Sequence, residues 1–516
     1  MKRTIIFLSL TLLCVLSYSQ TLYDGLKTSI YDISGTARYS SMAGAFGALG
    51  GDASSIKDNP AGLGIFRKSE ISFSTDFLNQ KTESAWNETH SNNSRTGSVF
   101  NNFSYIMALP TWRNESGTKG LLSSNFSFTY NKLKNFDRKT DINSKSVNSS
   151  MTDYFGYFTG DLPNSSLEWD NYPQNGISSP FDNVDLPWMS VMAHYGRLIR
   201  PYNNGWESLL SNGEKVTPSY VLNENGKINE YSVGWSGNFS NRLYLGATLN
   251  LQSIDYSAHS IYNEEFGNNG GMTLVNDIFT TGNGVNLNVG AIMVPADFMR
   301  IGIALHSPLI YKLTTTNYST LSFNTTVDGS LESPSNNKDY EFKTPMVLNL
   351  STAFILNSKG LFSIEYVLTN FSGAKMMDQN GNTDEYKYDN VDIKNMLNNS
   401  GTIKVGGEYK LTDNLALRGG YAYTGSITKP DATKWMAETT VRTDPEFFLH
   451  NSTSYLTAGF GYRTSGWFID FALVHIMQNE SYYAFNSKGM DQAFATNPAE
   501  VKTTDDKLVL SLGLKF

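Results

Sequence analysis

The sequence predicts an all-β fold: a fourteen-stranded antiparallel transmembrane β-barrel with an N-terminal hatch, or plug, in its lumen. Three observations lead there. Segments of about ten residues alternate in polarity, as a strand between lipid and a wet lumen requires. Their joins alternate between tight turns and long connections. Charged residues make up only 17%, aromatics reach 13%, and there are 43 glycines.

Composition removes the competing classes. Disordered chains and coiled coils need more charge and fewer aromatics than this. A mean hydropathy of -0.32, with no long apolar run beyond the N-terminus, excludes a bundle of membrane helices. A β-barrel survives because alternation hides its hydrophobicity.

The chain opens on an address. Lys2 and Arg3 precede an apolar stretch from Ile5 to Leu16, and Ser17-Tyr18-Ser19 offers the small-x-small pattern of a cleavage site. Residues 1–19 read as a secretory signal peptide. The single cysteine, Cys14, lies inside it, so the mature chain is expected to hold neither disulfides nor thiolate metal sites. An acidic net charge of -8 argues against a nucleic-acid partner, which would require basic patches.

Residues 20–68 do not alternate and are rich in small residues, as in the run Ala43-Gly44-Ala45-Phe46-Gly47-Ala48-Leu49-Gly50-Gly51-Asp52. A short helix ended by glycines fits this stretch. Its economical place is inside the barrel, since fourteen strands enclose more space than their own side chains fill.

From residue 69 to 516 the barrel unit repeats. Strands are expected near 70–79, 100–110, 121–133, 229–239, 242–254, 284–294, 298–308, 341–356, 360–372, 401–411, 414–425, 453–464, 466–477 and 506–516. The clearest is the last, with Leu508, Leu510, Leu512, Leu514 and Phe516 on one face and Lys507, Val509, Ser511, Gly513 and Lys515 on the other. Ile403, Val405, Tyr409 and Leu411 likewise oppose Lys404, Glu408 and Lys410. Ser240-Asn241, Pro295-Ala296-Asp297, Asn357-Ser358-Lys359, Thr412-Asp413 and Ser465 are tight, periplasmic-type turns. The connections between them are expected to be long extracellular loops, the largest at about 135–228.

The stretch Gly35-Thr36-Ala37-Arg38, Met42-Ala43-Gly44-Ala45-Phe46, Ala48-Leu49-Gly50-Gly51-Asp52 and Asn59-Pro60-Ala61-Gly62-Leu63-Gly64, followed by Glu70, resembles the N-terminal hatch of FadL-type hydrophobic-compound transporters. The resemblance implies a monomeric barrel in the outer membrane of a Gram-negative bacterium, surrounded by outer-membrane lipid. It would take up hydrophobic or amphipathic small molecules, such as long-chain fatty acids, without a cofactor. It implies a gating role for Asn59, Pro60, Ala61 and Gly62, and passage by hatch rearrangement or by a lateral gap. From the residues alone, Pro60 forces a turn and Asn59 can bond nearby backbone. A plain loop leading into the first strand explains the triplet equally well.

Within the longest connection, Phe155 and Phe158 precede Trp188, Met189 and Met192, whose spacing predicts a helix over 186–199 opening near Pro187. These five residues are candidate ligand contacts, a capture groove in which methionines adapt to shape. A loop core folded over the barrel mouth is the alternative. Met42, Phe46, Leu49 and Leu63 of the hatch complete the candidate ligand set. Arg300 and Arg418 are expected to face the lumen and to pair with hatch acids such as Asp52 or Asp58.

No enzyme is expected, since the six histidines are scattered and neither a metal-binding nor a Gly-x-Ser-x-Gly motif occurs. Two other functions compete with uptake. FadL-fold relatives that dock secreted proteins share this hatch pattern, and haem capture is a third reading, although the plug lacks an evident His or Tyr axial pair.

Overall fold

The computed structural model describes residues 22–516 apart from 112–118, 175, 212, 268–269, 358, 438, 492–493 and 496. The signal peptide expected at 1–19, Cys14 and Ser358 lie outside the described residues.

Fourteen barrel strands follow one another: Glu70–Trp86, Thr89–Pro110, Leu121–Asn135, Val216–Phe239, Leu243–Phe266, Gly271–Ala296, Met299–His306 with Ile310–Asn324, Asn336–Lys343 with Val347–Leu356, Gly360–Asn370, Asn399–Lys410, Leu415–Thr424, Phe447–Arg463, Trp467–Tyr483 and Ala499–Lys515. Each pairs antiparallel with the next, and the first closes on the last from Glu70↔Lys515 to Ala85↔Glu500. Closure leaves no strand edge for the bilayer to meet unsatisfied.

The expected alternation holds within the membrane belt. Leu508 and Leu514 face outward while Lys507, Val509 and Ser511 are buried inward, and Ile403 and Tyr409 face outward opposite inward Lys404 and Glu408. At the short-turn rim, Ser240 and Asn241 both have φ 55, the pair of left-handed residues that a tight hairpin between twisted strands needs.

Several strands run much further than the sequence suggests, up to 24, 24 and 26 residues for the fourth, fifth and sixth. Only about 9–11 residues are needed to cross a bilayer. On the fifth strand the two faces exchange character near residue 252. Below that point Leu249 and Leu251 face lipid and Thr248, Asn250 and Gln252 face in; above it Asp255 is exposed, and Ile254, Tyr256, Ala258 and Tyr262 are buried inward. The expected loop between the first two strands is also a continued hairpin, with Trp86 opposite Thr89.

Over the long-loop end sits a cap built from the connection after Asn143. Its helices Met151–Thr159 and Trp188–Tyr195 pack into the principal apolar cluster. The first opens on a capping box between Ser150 and Asp153, and Glu264 at the tip of the fifth strand accepts from Met151 N at 2.7 Å. The second follows Pro187, as expected, but runs only from Trp188 to Tyr195 and not to 199: the chain leaves the helix at Gly196 and Ile199 opens a short strand.

The hatch fills the lumen below. Thr36 caps the helix Ala37–Ser41, Asp52 caps Ala53–Lys57, and Asn59 caps the 3-10 turn Pro60–Ile65. Gly50 and Gly51, at φ 56 and 66, make the reversal between the first two of these possible.

Candidate functional site

The Asn59-Pro60-Ala61 turn is wedged against the wall. Asn59 is 1% exposed; its Nδ2 donates to Gly47 O at 2.7 Å and to Ala291 O at 3.3 Å, while its Oδ1 accepts from Ala61 N at 3.1 Å. Inward positions of the strands that face the hatch are glycine where contact is closest. A Cβ on Gly246 would overlap Pro60, one on Gly290 would overlap Asn59, and one on Gly302 would stand 2.5 Å from Gly47 O. Gly406 and Gly420 make the same room for Met42.

Charges bind the hatch to the same wall. Arg38 donates to Glu408 at 2.9 Å, Arg418 reaches Glu408 and Asp470 at 2.6 Å each, and Lys404 bridges Glu365 at 2.8 Å and Asp58 at 3.6 Å. Glu365 Oε2 also accepts from Gly47 N at 2.7 Å. The expected pairing of Arg300 and Arg418 with hatch acids is therefore corrected. Arg300 donates to the hatch carbonyl of Leu49 at 2.7 Å, and Arg418 pairs with wall acids. The reason is local: Asp52 is spent on Thr36 and on capping Ser54, and Asp58 on Tyr39 and Lys404.

Above the hatch lie two adjoining lumen cavities of about 210 and 220 Å³. They share Ile30, Tyr31, Asp32, His450, Thr453 and Tyr455, so the segment 30–32 stands between them as a partition. The lower cavity is bounded by hatch residues Tyr39, Lys57 and Asp58 and by wall residues including Pro345, Val367 and Phe371. The upper one mixes Leu26, Phe136, Leu222 and Phe447 with paired charges such as Arg138 and Glu224, 2.7 Å apart.

The lower cavity touches an irregularity in the wall. The seventh strand breaks over Ser307-Pro308-Leu309 and the eighth over Thr344-Pro345-Met346, side by side, since Thr344 N still donates to Leu309 O at 2.9 Å. Between the eighth and ninth strands the register pairs run from Leu356↔Gly360 to Val347↔Thr369, Asn370 N still donates to Met346 O at 3.2 Å, and pairing resumes at Lys343↔Lys375 beyond Pro345. Proline has no N–H to give a ladder, so the interruption follows from Pro308 and Pro345. Ile310 and Met346 face outward beside it, 46% and 45% exposed, which sets this window in the apolar belt.

None of the candidate ligand residues lines either cavity. Met42, Phe46, Leu49 and Leu63 are buried in hatch packing, and Phe155, Trp188, Met189 and Met192 in the cap cluster, with Phe158 packed beside them. The structure thus brings the two groups to opposite ends of the cavities. His194 of the cap helix stands edge-on to Trp206 at 5.3 Å, and burial lowers its pKa below the ordinary value. In the connection before the twelfth strand, burial would raise Asp444, but Arg442 and Lys434 hold its carboxyl below the usual range. Burial and the neighbouring Asp444 push Glu446 above it. The cavity residues that sequence reasoning missed, Tyr31, Arg138, Arg442 and Glu446 among them, sit in segments without periodicity or at the strand tips; Lys404 of the lower cavity was visible as a charge on an apolar strand, and Asp58 as a hatch acid.

The family model for outer membrane protein transport proteins (OMPP1/FadL/TodX) matches residues 227–516, more than half of the chain. The chain belongs to that family. This FadL/TodX-family protein is an outer-membrane barrel of a family of transport channels and not an enzyme. The fold is shared with a Pseudomonas aeruginosa FadL homologue at 12% identity and TM-score 0.50, covering 95% of this chain and 99% of that one. The P. putida toluene transporter TodX aligns at 11% identity and TM-score 0.51, covering 94% and 99%. No curated protein matches.

Proposed function

We propose that this FadL/TodX-family barrel carries hydrophobic or amphipathic small molecules passively across the outer membrane. The observation that carries the reading is the pair of adjoining cavities, held between an apolar cap and a sealed hatch, the lower one reaching a proline-made window in the lipid belt. Apolar cargo gains about 0.8 kcal/mol per methylene removed from water, enough to bind without an energy source. The toluene transporter TodX, which shares the fold, is a relative with apolar cargo. Long-chain fatty acids belong to the same broad class.

The exit we favour is lateral. Asn59, Pro60 and Ala61 are buried against wall strands and Gly62 against Gly50 of the hatch, and moving the turn would pull on the adjoining Asp58–Lys404 pair. Leaving by the window costs only local strand separation where bonds are already missing. The test is influx of labelled toluene and dodecanol into cells lacking other channels for them. Expression of this protein should raise both initial rates severalfold, with no rise for a sugar of similar mass; equal rates with and without the protein would overturn the reading.

A further inference from the structure

Resting on the uptake reading, the charge of the upper cavity narrows the cargo. Seven carboxylates and five cationic side chains line it. Every one of the five is already paired: Lys27 with Glu224, Lys134 with Asp32, Arg138 with Glu224 and Glu480, Lys434 with Asp444, and Arg442 with Asp24 and Asp444. An incoming carboxylate would find no unpaired Lys or Arg among the described lining residues and would add a like charge beside buried carboxylates, which is expensive.

The surplus is on the acidic side. Glu446 is 9% exposed and, among the described residues, forms no ion pair; its Oε1 accepts from Ser260 at 3.0 Å, whereas its buried Oε2 has no hydrogen-bond partner among them. The Tyr220 hydroxyl donates to Oε1 at 3.4 Å, and Phe447 and Phe448 line the same cavity. A buried carboxylate without an ion-pair partner is the group that recognises an organic cation, by charge and by charge-assisted hydrogen bonding. Leu26, Ile30 and Ile278 offer a tail apolar contact in the same space.

We infer that the upper cavity selects amphiphiles with a cationic, ammonium-type head over those with a carboxylate, with Glu446 as the head-group acceptor. The test uses the full-length barrel in amphipol and four C12 probes that differ only in the head: dodecylammonium, dodecyltrimethylammonium, dodecanol and dodecanoate. Calorimetric titration should rank both ammonium probes at least tenfold above dodecanoate, with dodecanol between them. In Glu446→Gln, which keeps shape and removes charge, the two ammonium probes should fall to within about threefold of dodecanol, whose own affinity is retained. Heat-modifiability on gels checks that the variant folds, and the wild-type ranking is decisive even if it does not. Dodecanoate binding as tightly as the ammonium probes would overturn the head-group inference and leave uptake standing. A ranking that survives Glu446→Gln would remove this cavity as its source. Failure of all four probes to bind would overturn the uptake reading itself.

Discussion

The carboxamide of Asn59 occupies the space that a side chain on Gly290 would need: a Cβ there would overlap Oδ1 and lie 3.0 Å from Cγ and 3.2 Å from the Pro60 ring. Hatch and wall are therefore fitted to each other residue by residue. Gly290→Ala should destabilise the seated hatch by about 1–3 kcal/mol, the usual cost of overpacking. Asn59→Ala alone should cost about as much, by leaving the buried Gly47 carbonyl without its donor. Together the two should cost less than their sum, because the second removes the atoms that the first strikes. Denaturant midpoints, with hydrogen exchange over 36–66 as the local readout, check this.

Glu408 holds two guanidinium groups, Arg38 from the hatch and Arg418 from the wall. Glu408→Gln should lower stability by about 3–5 kcal/mol, since it strands buried positive charge. Arg418 keeps its Asp470 partner, whereas Arg38 keeps the Gly51 carbonyl at 3.2 Å and the face of Phe46 at 5.2 Å but no carboxylate among the described residues within ion-pair distance, so the loss should appear first as loosening of the hatch. Replacing Arg38 and Glu408 together by methionine should recover most of it. Thermal melts of the native chain and the two variants in one detergent decide the matter.

The barrel was legible because lipid imposes a rule on each strand separately: one glance at Leu508 to Phe516 gives its inside and its outside. That rule lapses above the membrane. Past Gln252 the fifth strand still alternates, but with Ile254 and Tyr256 inward and Asp255 outward, so a search for lipid-facing residues ends too early. The hatch motif was visible, and its seat was not. Gly246, Gly290, Gly302 and Gly420 are spread over four strands, and nothing local says that each lies against the plug. Arg418 was found but given the wrong partner, because Glu408 and Asp470 come near it through strand register and not through sequence distance.

The cap carries two groups through which acid acts, His194 and Asp153. Burial lowers its folded-state pKa below the unfolded value of about 6.5, so its contribution to stability is complete above that value and is lost as pH falls through 6.5 towards the folded pKa. Asp153, raised by burial to about 6, acts in the opposite sense: its folded form binds the proton more tightly, and stability rises as pH falls through 6. The two effects oppose each other. Protection across 151–195, with exchange rates referred to the intrinsic rate at each pH, should therefore rise more steeply between pH 7.5 and 5.5 in His194→Phe than in the native chain, and an equal pH dependence in the two would mean that His194 does not govern the cap.

The window in the wall yields the sharpest test of the exit route. Leu348 and Leu368 are register partners on the eighth and ninth strands, one residue pair inside the point where the ladder stops. Directly opposed residues on antiparallel strands have Cα atoms about 4.5–5.5 Å apart, within the span a disulfide bridges. The sole native cysteine is Cys14, in the stretch read as the signal peptide, so a pair introduced at 348 and 368 can be oxidised without competition from the rest of the sequence. If cargo leaves through the window, the oxidised Leu348→Cys, Leu368→Cys protein should show toluene influx reduced at least fivefold, and reductant should restore it. Binding of dodecanol in the lumen should stay unchanged in both states, because the cavities themselves are untouched. Should the stapled protein transport at the native rate, the strands need not part, and the hatch around Asn59 would have to be the moving element.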